Sequence, residues 1–463
     1  MHTHPDFLHV EGNQIVNGRG EVVRLRGFCL GGWMNMENFM IGYPGHESGF
    51  RTSIAEVLGD EKGSYFFDRF LHYFVSLDDL YFIKSLGCNV LRIALNYRHF
   101  ESDANPFVYI STGFELLDKV IAWAREVGLY IILDLHAVQG WQNGGWHCNN
   151  PDGSAHFWGQ KQFEDRAVSL WEEIASRYRD VEFVAGYNLM NEPEAQNVED
   201  LNRFYCRVSA AIRAIDPDHI IFLEGNQYSQ RFDQFDPPFD ANLVYSTHLY
   251  VPPGLEEVEY PGELNGVNYN RGWLKNTYLE RTAYTRKHNV PHWLSEFGCI
   301  YGNPSIEASR LRLLRDYLDI IEEQGDHWTI WNYKDIGKMG VVCVDPESEW
   351  MRRTQPVRAI KSKLRCDSWI ERRSPHFDPY LETFSEQIRS ITKGQPGDWE
   401  RLDELLGYAI GDRLISKMLL PAFVEQFKDL KESDIDEMMR SFSFNNCLQR
   451  DGLVAMIREQ FSI

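Results

Sequence analysis

The sequence predicts an α/β fold, namely a (β/α)8 barrel followed by a small helical appendage at the C-terminus. Two observations favour this fold. Short apolar runs, typical of strands buried on both faces, alternate with helical patterns. Eight of these runs fall in roughly the first 365 residues, a length that suits such a barrel. We therefore expect the barrel over residues 1–370 and the helical appendage over residues 371–463.

The predicted strands are separated by stretches in which apolar residues recur every three or four positions. Their expected ranges are 21–30, 89–95, 130–136, 184–192, 219–225, 243–250, 291–298 and 327–334. Helices are expected near residues 113–127, 161–179, 199–215, 272–288 and 307–323, and a long excursion at 38–63 precedes an aromatic-rich helix. A doubly wound open sheet is the alternative, but the turn after the first strand lacks the glycine fingerprint of that fold.

The chain beyond about residue 372 has the apolar spacing of long helices. Apolar residues recur at Leu402, Leu405, Leu406, Ala409 and Ile410, and again at Leu420, Phe423, Phe427 and Leu430. These faces could dock on the barrel or form a homo-oligomer interface. We find no catalytic motif in this part of the chain.

Composition narrows the classes of partner and the compartment. The 463 residues carry a formal charge of −21, which disfavours nucleic acid and anionic membrane surfaces as partners. No run of apolar residues is long enough to span a membrane, and the first residues lack the pattern of a secretory signal. The eight cysteines form no CxxC pair, which favours reduced thiols. These features predict a cytoplasmic protein.

Two glutamates stand at the ends of predicted strands. Glu192 closes the apolar run that begins at Val184, and Glu296 closes the run that begins at Val290. The two glutamates lie 104 positions apart in the sequence (192 to 296). Pro193 should end the strand and bias Glu192 toward an extended backbone. Because the carboxyl ends of all barrel strands face a common pocket, the fold should bring the two carboxyl groups together.

Other polar and aromatic residues are expected at the same end of the barrel. They are Glu37, Arg92, Asn96, His136, Asn191, Glu224, His248, Tyr250, Trp331 and Lys334, together with Trp141, Asn143 and Trp146 from a loop rich in glycine and tryptophan. Two carboxyl groups with aromatic rings nearby suit hydrolysis of a glycosidic bond. His136, His147, His248 and His327 lack the spacing of a metal site, so we expect neither metal nor cofactor.

Several short motifs occur in order along the predicted barrel: Arg26-Gly-Phe-Cys-Leu-Gly-Gly-Trp33, Gly87-Cys-Asn-Val-Leu-Arg-Ile93, Asp134-Leu-His136, Asn188-Leu-Met-Asn-Glu-Pro193, His248-Leu-Tyr250, Ser295-Glu-Phe-Gly298 and Trp331. Together they resemble the motifs of glycoside hydrolase family 5, the cellulase and mannanase family. The resemblance implies a retaining enzyme in which Glu192 is the acid/base and Glu296 the nucleophile. An acid that is protonated near neutral pH should have a raised pKa, which we therefore expect for Glu192.

The resemblance also implies binding roles. Asn191 would hold the sugar 2-hydroxyl, while Arg92 and Tyr250 would flank the nucleophile and keep it ionised. In the same way, His136 and His248 would line the subsite of cleavage, with Trp331 as its platform.

The expected substrate is a short β-linked oligosaccharide that meets the enzyme in the cytoplasm. Long loops around the cleft favour a pocket for a chain end, so we expect an exo-acting β-glycosidase, with β-mannosides first and β-glucosides second. The mannose preference follows from a likeness to exo-acting β-mannosidase branches of the family. The alternatives are an endo-acting β-1,4-glucanase or mannanase, a ceramide-glycan hydrolase, and a carbohydrate-binding barrel without turnover.

Overall fold

The computed structural model describes residues 7–366, 376–397, 399 and 402–461, and its centre is a closed barrel of eight parallel strands. In chain order these strands are β1 (Arg26–Leu30), β2 (Val90–Asn96), β3 (Tyr130–Ala137), β4 (Val184–Asn188), β5 (Ile220–Glu224), β6 (Leu243–His248), β7 (His292–Glu296) and β8 (His327–Ile330). Each strand pairs with the next, and β8 closes the barrel on β1. The predicted fold class is confirmed.

Helices connect the strands. Before residue 366 they span Asn38–Ile41, Glu47–Leu58, Asp60–Phe74, Leu77–Ser85, Ser111–Val127, Lys161–Tyr178, Val198–Arg213, Asn226–Ser229, Pro252–Leu255, Arg271–Arg281, Ala283–His288, Glu307–Gln324 and Glu349–Leu364. Local sequence explains several of their ends. The helix Ser111–Val127 ends where Gly128 takes a left-handed conformation, and the Asn197 side chain caps the start of Val198–Arg213. Within the described residues, every helix is too short or too polar to cross a lipid bilayer.

A hairpin at the N-terminus packs against the amino end of the barrel. Its strands, His9–Glu11 and Gln14–Val16, pair antiparallel. Leu8 and Ile15 from this region join a buried cluster with inward residues of the strands, among them Trp293. Apolar packing therefore fills this end of the barrel, which leaves the opposite end for a cavity.

Some predicted boundaries are wrong. Strand β4 ends at Asn188 rather than at Glu192, and β8 ends at Ile330 rather than at Lys334. The helix expected over 272–288 is divided at Thr282 into two shorter helices. In both strands the apolar run continues into the loop because the residues after the strand are also buried.

The C-terminal region packs into the same core as the barrel helices. It comprises the helices Asp378–Ile391, Leu402–Gly407, Ser416–Val424, Glu432–Met439 and Asp451–Gln460, with a π-helix at Tyr408–Ile415. It is not purely helical, because Cys447–Gln449 pairs antiparallel with Val342–Val344. Phe427 stacks on Trp350 at 5.6 Å between ring centroids. The boundary predicted between residues 370 and 371 lies outside the described residues and stays a prediction.

Candidate active site

The carboxyl groups of Glu192 and Glu296 meet at the carboxyl end of the barrel strands. Glu296 is the last residue of β7, and Glu192 follows the end of β4. One oxygen of each carboxyl group and a ring nitrogen of His248 all lie within 4.8 Å of one another. A separation near 5 Å suits direct attack by one carboxylate while the other handles the proton.

Arg92 of β2 is fully buried and fixes the position of Glu296. Its Nη1 donates to Glu296 Oε1 at 2.5 Å, and its Nη2 donates to Asn191 Oδ1 at 2.7 Å and to Glu224 Oε1 at 2.9 Å. The Tyr250 hydroxyl donates to the other oxygen of Glu296 at 3.0 Å. Both Glu296 oxygens therefore accept a hydrogen bond, and one of these bonds is charge-assisted, which holds the carboxylate in one orientation.

The backbone of Glu192 differs from the expectation. Its φ is +46°, in the left-handed region, whereas the following proline predicted an extended conformation. Two contacts hold this conformation: the Glu192 N–H donates to Glu224 Oε2 at 2.8 Å, and the Glu192 carbonyl accepts from Asn143 Nδ2 at 2.8 Å. A strained residue held on both sides in this way is typical of functional sites.

The expected raised pKa of Glu192 is wrong. Burial alone would raise this pKa, but hydrogen bonds from His147 and His248 hold it well below the usual range for a glutamate. His248 Nδ1 lies 2.7 Å from Glu192 Oε1, and His147 Nε2 lies 3.1 Å from Glu192 Oε2. The sequence could not show this, because His147 comes from the loop after β3 and His248 from β6.

The charge on His248 also bears on metal binding. Burial opposes that charge, but the carboxylates of Glu296, Glu224 and Glu192 raise the pKa of His248 to about 10. A protonated imidazole has no lone pair to offer a cation, although Glu192, His248 and Glu296 are otherwise of the kinds that bind metal ions. The expectation that the site needs no metal stays a prediction.

His136 and Trp331 form one side of the site. Their rings stack at 5.1 Å between centroids with an interplanar angle of 7°. His136 Nδ1 lies 2.7 Å from Asp134 Oδ2, and His136 Nε2 lies 3.2 Å from Asn191 Nδ2. Trp331 is only 3% exposed, so a sugar can reach only part of its ring.

Glu37 adds a third carboxyl group to the cavity. It follows β1, and its Oε1 lies 4.0 Å from His136 Nε2. Burial raises the pKa of Glu37 to about 8; the charge of His147 lowers it, and the charges of Glu296 and Glu192 raise it further. Glu37 is therefore protonated at neutral pH and can donate a hydrogen bond to a hydroxyl.

The pKa of Glu37 leads to a prediction about pH. Unfolded, this glutamate ionises near pH 4.5, whereas in the folded protein it keeps its proton to about pH 8. The stability it contributes is complete below about pH 4.5 and is lost as pH rises toward 8. We expect Glu37→Gln to flatten the pH dependence of the midpoint of thermal unfolding between pH 5 and 8, and to remove a fall in kcat/KM above pH 8.

Thermal unfolding in a pH series measures the predicted change in stability, and initial rates on an aryl β-glycoside over the same series measure the predicted change in kcat/KM. Glu115→Gln is the matched control, because Glu115 is an exposed glutamate on the helix Ser111–Val127. A wild-type pH profile that Glu37→Gln reproduces unchanged would contradict the assignment.

The site opens into a cavity of about 600 Å³. Of the site residues predicted from the sequence, the following line it: Glu37, His136, Trp146, Glu192, His248, Tyr250, Glu296 and Trp331. Arg92, Asn143 and Asn191 lie behind these residues and hold them in place.

Two further predicted substrate-binding residues, Lys334 and Trp141, do not line the cavity either. The Lys334 side chain is fully buried; it donates to the carbonyls of Phe74 and Phe442 and pairs with Asp79 at 2.6 Å. Lys334 closes the predicted strand 327–334, which suggested the pocket, but strand β8 ends at Ile330 and Lys334 is buried in the core. Trp141 does not line the cavity either, and its ring packs near His156.

The sequence reasoning missed part of the lining. The additional residues are Asn38, Gly144, Gly145, His147, Gly153, Glu194, Tyr228, Gln230, Leu255, Leu405, Tyr408 and Asp412. From the sequence, His147 is a candidate only for metal binding, although its place in the loop after β3 also indicates the site. The sequence gives no such signal for Leu405, Tyr408 or Asp412, which lie in the C-terminal region.

Comparison with known proteins identifies the family. The family described as Cellulase (glycosyl hydrolase family 5) matches residues 71–337, more than half of the chain. A protein named Beta-xylosidase from Phanerodontia chrysosporium is 37% identical over 471 residues, which cover 99% of this chain and 98% of that protein. A probable glucan 1,3-beta-glucosidase A from Aspergillus clavatus is 30% identical over 53% of this chain and 60% of that protein.

Solved structures show the same fold. A crystal structure described as a glycoside hydrolase has a TM-score of 0.51 and 21% identity, and covers 68% of this chain and 90% of that chain. An endogalactoceramidase has a TM-score of 0.53 and 18% identity, and covers 71% of this chain and 75% of that chain. The named relatives argue against a carbohydrate-binding barrel without turnover. The chain belongs to glycosyl hydrolase family 5 and is a retaining glycoside hydrolase that acts on β-glycosides.

Proposed function

We propose that this protein is an exo-acting β-xylosidase that removes one terminal sugar at a time from short β-linked oligosaccharides. The observation that carries the proposal is the pair of carboxyl groups, Glu192 and Glu296, within a cavity that loops and C-terminal helices enclose. The relative named Beta-xylosidase aligns with 99% of the chain, including those helices, and this supports xylose as the terminal sugar.

In the proposed mechanism, Glu296 attacks the anomeric carbon of the terminal sugar and forms a glycosyl-enzyme ester. The bond to the leaving oxygen breaks at the same time, and Glu192 gives that oxygen a proton. Glu192, now a carboxylate, then removes a proton from water, whose oxygen attacks the anomeric carbon and displaces Glu296. Two displacements return the anomeric carbon to the β configuration.

Glu192 must gain a proton before the first step, because hydrogen bonds from His147 and His248 hold its pKa well below the usual range for a glutamate. Its two oxygens lie 2.7 Å from His248 Nδ1 and 3.1 Å from His147 Nε2. Burial lowers the pKa of His147, but the hydrogen bond and charge of Glu192 raise it above its ordinary value. Movement of one proton along either contact leaves Glu192 protonated, and we propose this movement when the sugar excludes water from the cavity.

The cavity is of a size that suits a small ligand. Its volume of about 600 Å³ lies within the range of roughly 300–1,000 Å³ that is usual for small-molecule sites. We propose that Glu37, His136 and Trp331 border the sugar ring. Since a pentose lacks the hydroxymethyl group of a hexose, close walls would favour xylose by excluding the larger sugar.

A panel of substrates tests this function. We expect the highest kcat/KM on nitrophenyl β-xyloside, lower values on the β-glucoside and β-mannoside, and release of xylose alone from xylo-oligosaccharides. The β-mannosidase activity expected from the sequence stays a prediction, and a preference for the β-mannoside would replace xylose in the proposal. Cleavage within xylan, mannan or cellulose chains, without release of a terminal sugar, would contradict the exo-acting pocket.

A further inference from the structure

We propose that three C-terminal residues, Leu405, Tyr408 and Asp412, form the end wall of the sugar site and restrict it to one sugar unit. They belong to a segment spanning residues 402–424, named here the wall segment. The inference rests on the proposed exo action. An enzyme that removes a terminal sugar is closed beyond that sugar and open on the side of the leaving group.

The wall segment reaches the cavity through a π-helix. Leu405 precedes this helix, and Tyr408 and Asp412 lie within it, one turn apart. π-Helices are rare in proteins, and those that occur often lie at functional sites. Leu405 lines the cavity, and because it is 48% exposed, part of its side chain also faces solvent. A carboxylate, a phenol and an apolar side chain together suit the mixed polar and apolar faces of a sugar.

Specific contacts attach the π-helix to the loop after β3. The Tyr408 hydroxyl donates to the Gly144 carbonyl at 2.7 Å, and Arg413 Nη2 donates to the same oxygen at 2.5 Å. Arg413 Nη1 also donates to the Asn150 carbonyl at 3.0 Å. The Arg413 guanidinium lies over the Trp146 ring, 5.7 Å from its centroid. The wall is therefore bound to the loop that carries His147, the partner of Glu192.

The other end of the wall segment is rooted in the core. Phe423 is fully buried and contacts the rings of Phe50 and Trp350 at 5.7 and 6.3 Å between centroids. Aromatic packing of this kind resists displacement, so the wall has a fixed position rather than that of a mobile lid. The match to the family covers residues 71–337 and leaves out the wall, whereas the alignment with the relative named Beta-xylosidase covers 99% of the chain. The wall is thus an addition to the part of the chain that the family shares.

An aryl β-xylobioside tests the wall directly. A site with room for one sugar must release xylose first and the aryl alcohol only afterwards from the remaining aryl xyloside. We expect this order in the wild type. In Leu405→Ala/Tyr408→Ala, we expect the early ratio of xylobiose to xylose to rise by roughly tenfold or more, because removal of the wall opens space for a second sugar.

Leu414→Ala is the matched control, because Leu414 lies on the same π-helix, is 56% exposed and does not line the cavity. We expect it to keep the wild-type order of products. The single variant Leu405→Ala, which leaves the Tyr408 anchor in place, should shift the ratio in the same direction and guards against misfolding of the double variant. Thermal unfolding of each variant checks that the fold is intact.

An unchanged ratio in folded Leu405→Ala and in the double variant would overturn the wall proposal. Failure of the proposed function looks different, since the wild type would then leave the aryl β-xyloside intact. If the substrate panel selects β-glucosides, an aryl β-cellobioside replaces the xylobioside in the same test.

Discussion

Glu296→Gln is expected to lower kcat by roughly 10⁴-fold or more on any β-glycoside that the enzyme hydrolyses. The amide has the size of the carboxyl group but no negative charge, so it cannot form the ester with the anomeric carbon. Arg92 keeps its contacts with Glu224 at 2.9 Å and with Asp134 at 3.1 Å, so we expect the protein to fold. Initial rates on nitrophenyl β-xyloside and a thermal unfolding curve measure both effects.

An added nucleophile sharpens this test. In Glu296→Ala, azide can enter the space of the missing side chain and attack the anomeric carbon from the same face. A single displacement of this kind inverts the configuration, so the product should be the α-glycosyl azide. Glu263→Gln is the control, because Glu263 is an exposed glutamate on the short strand Gly262–Leu264. Residual activity within tenfold of the wild type in Glu296→Gln would exclude Glu296 as the nucleophile.

Glu192→Gln is expected to have an effect that depends on the leaving group. Loss of general acid catalysis should lower kcat/KM on xylobiose by about 10²–10⁴-fold, because the departing sugar oxygen needs a proton. A dinitrophenyl group departs without a proton, so kcat/KM on that xyloside should change far less. The ratio of the two losses is the measurement, and each substrate serves as the control for the other.

Azide separates the two glutamates. In Glu192→Ala the glycosyl-enzyme still forms on Glu296, and azide then attacks from the opposite face, so the product should be the β-glycosyl azide. Equal losses on xylobiose and on the dinitrophenyl xyloside would show that Glu192 does not protonate the leaving group. His147→Gln provides a further comparison, because it keeps Glu192 but removes one of its two imidazole contacts.

The sequence-based predictions were most successful for the strands, where a run of apolar residues coincides with a buried position in the barrel. Mostly apolar runs of five to eight residues mark β1 to β7, because both faces of these strands are buried and favour apolar side chains. Glu296 stands where such a run ends, at the end of β7. The ends of β4 and β8 were placed too late, since buried loops near an active site look like strands in sequence.

Periodicity and motifs a few residues long were enough to predict the barrel and its family and to single out Glu192 and Glu296. The environment of each side chain depends on the tertiary structure. It placed His147 and His248 on Glu192, buried Lys334 against Asp79, and brought the π-helix at 408–415 to the loop at 144–153. Burial, charge and hydrogen bonding act between residues that are close in space. Sequence distances of 45 to more than 260 residues carry no trace of these contacts.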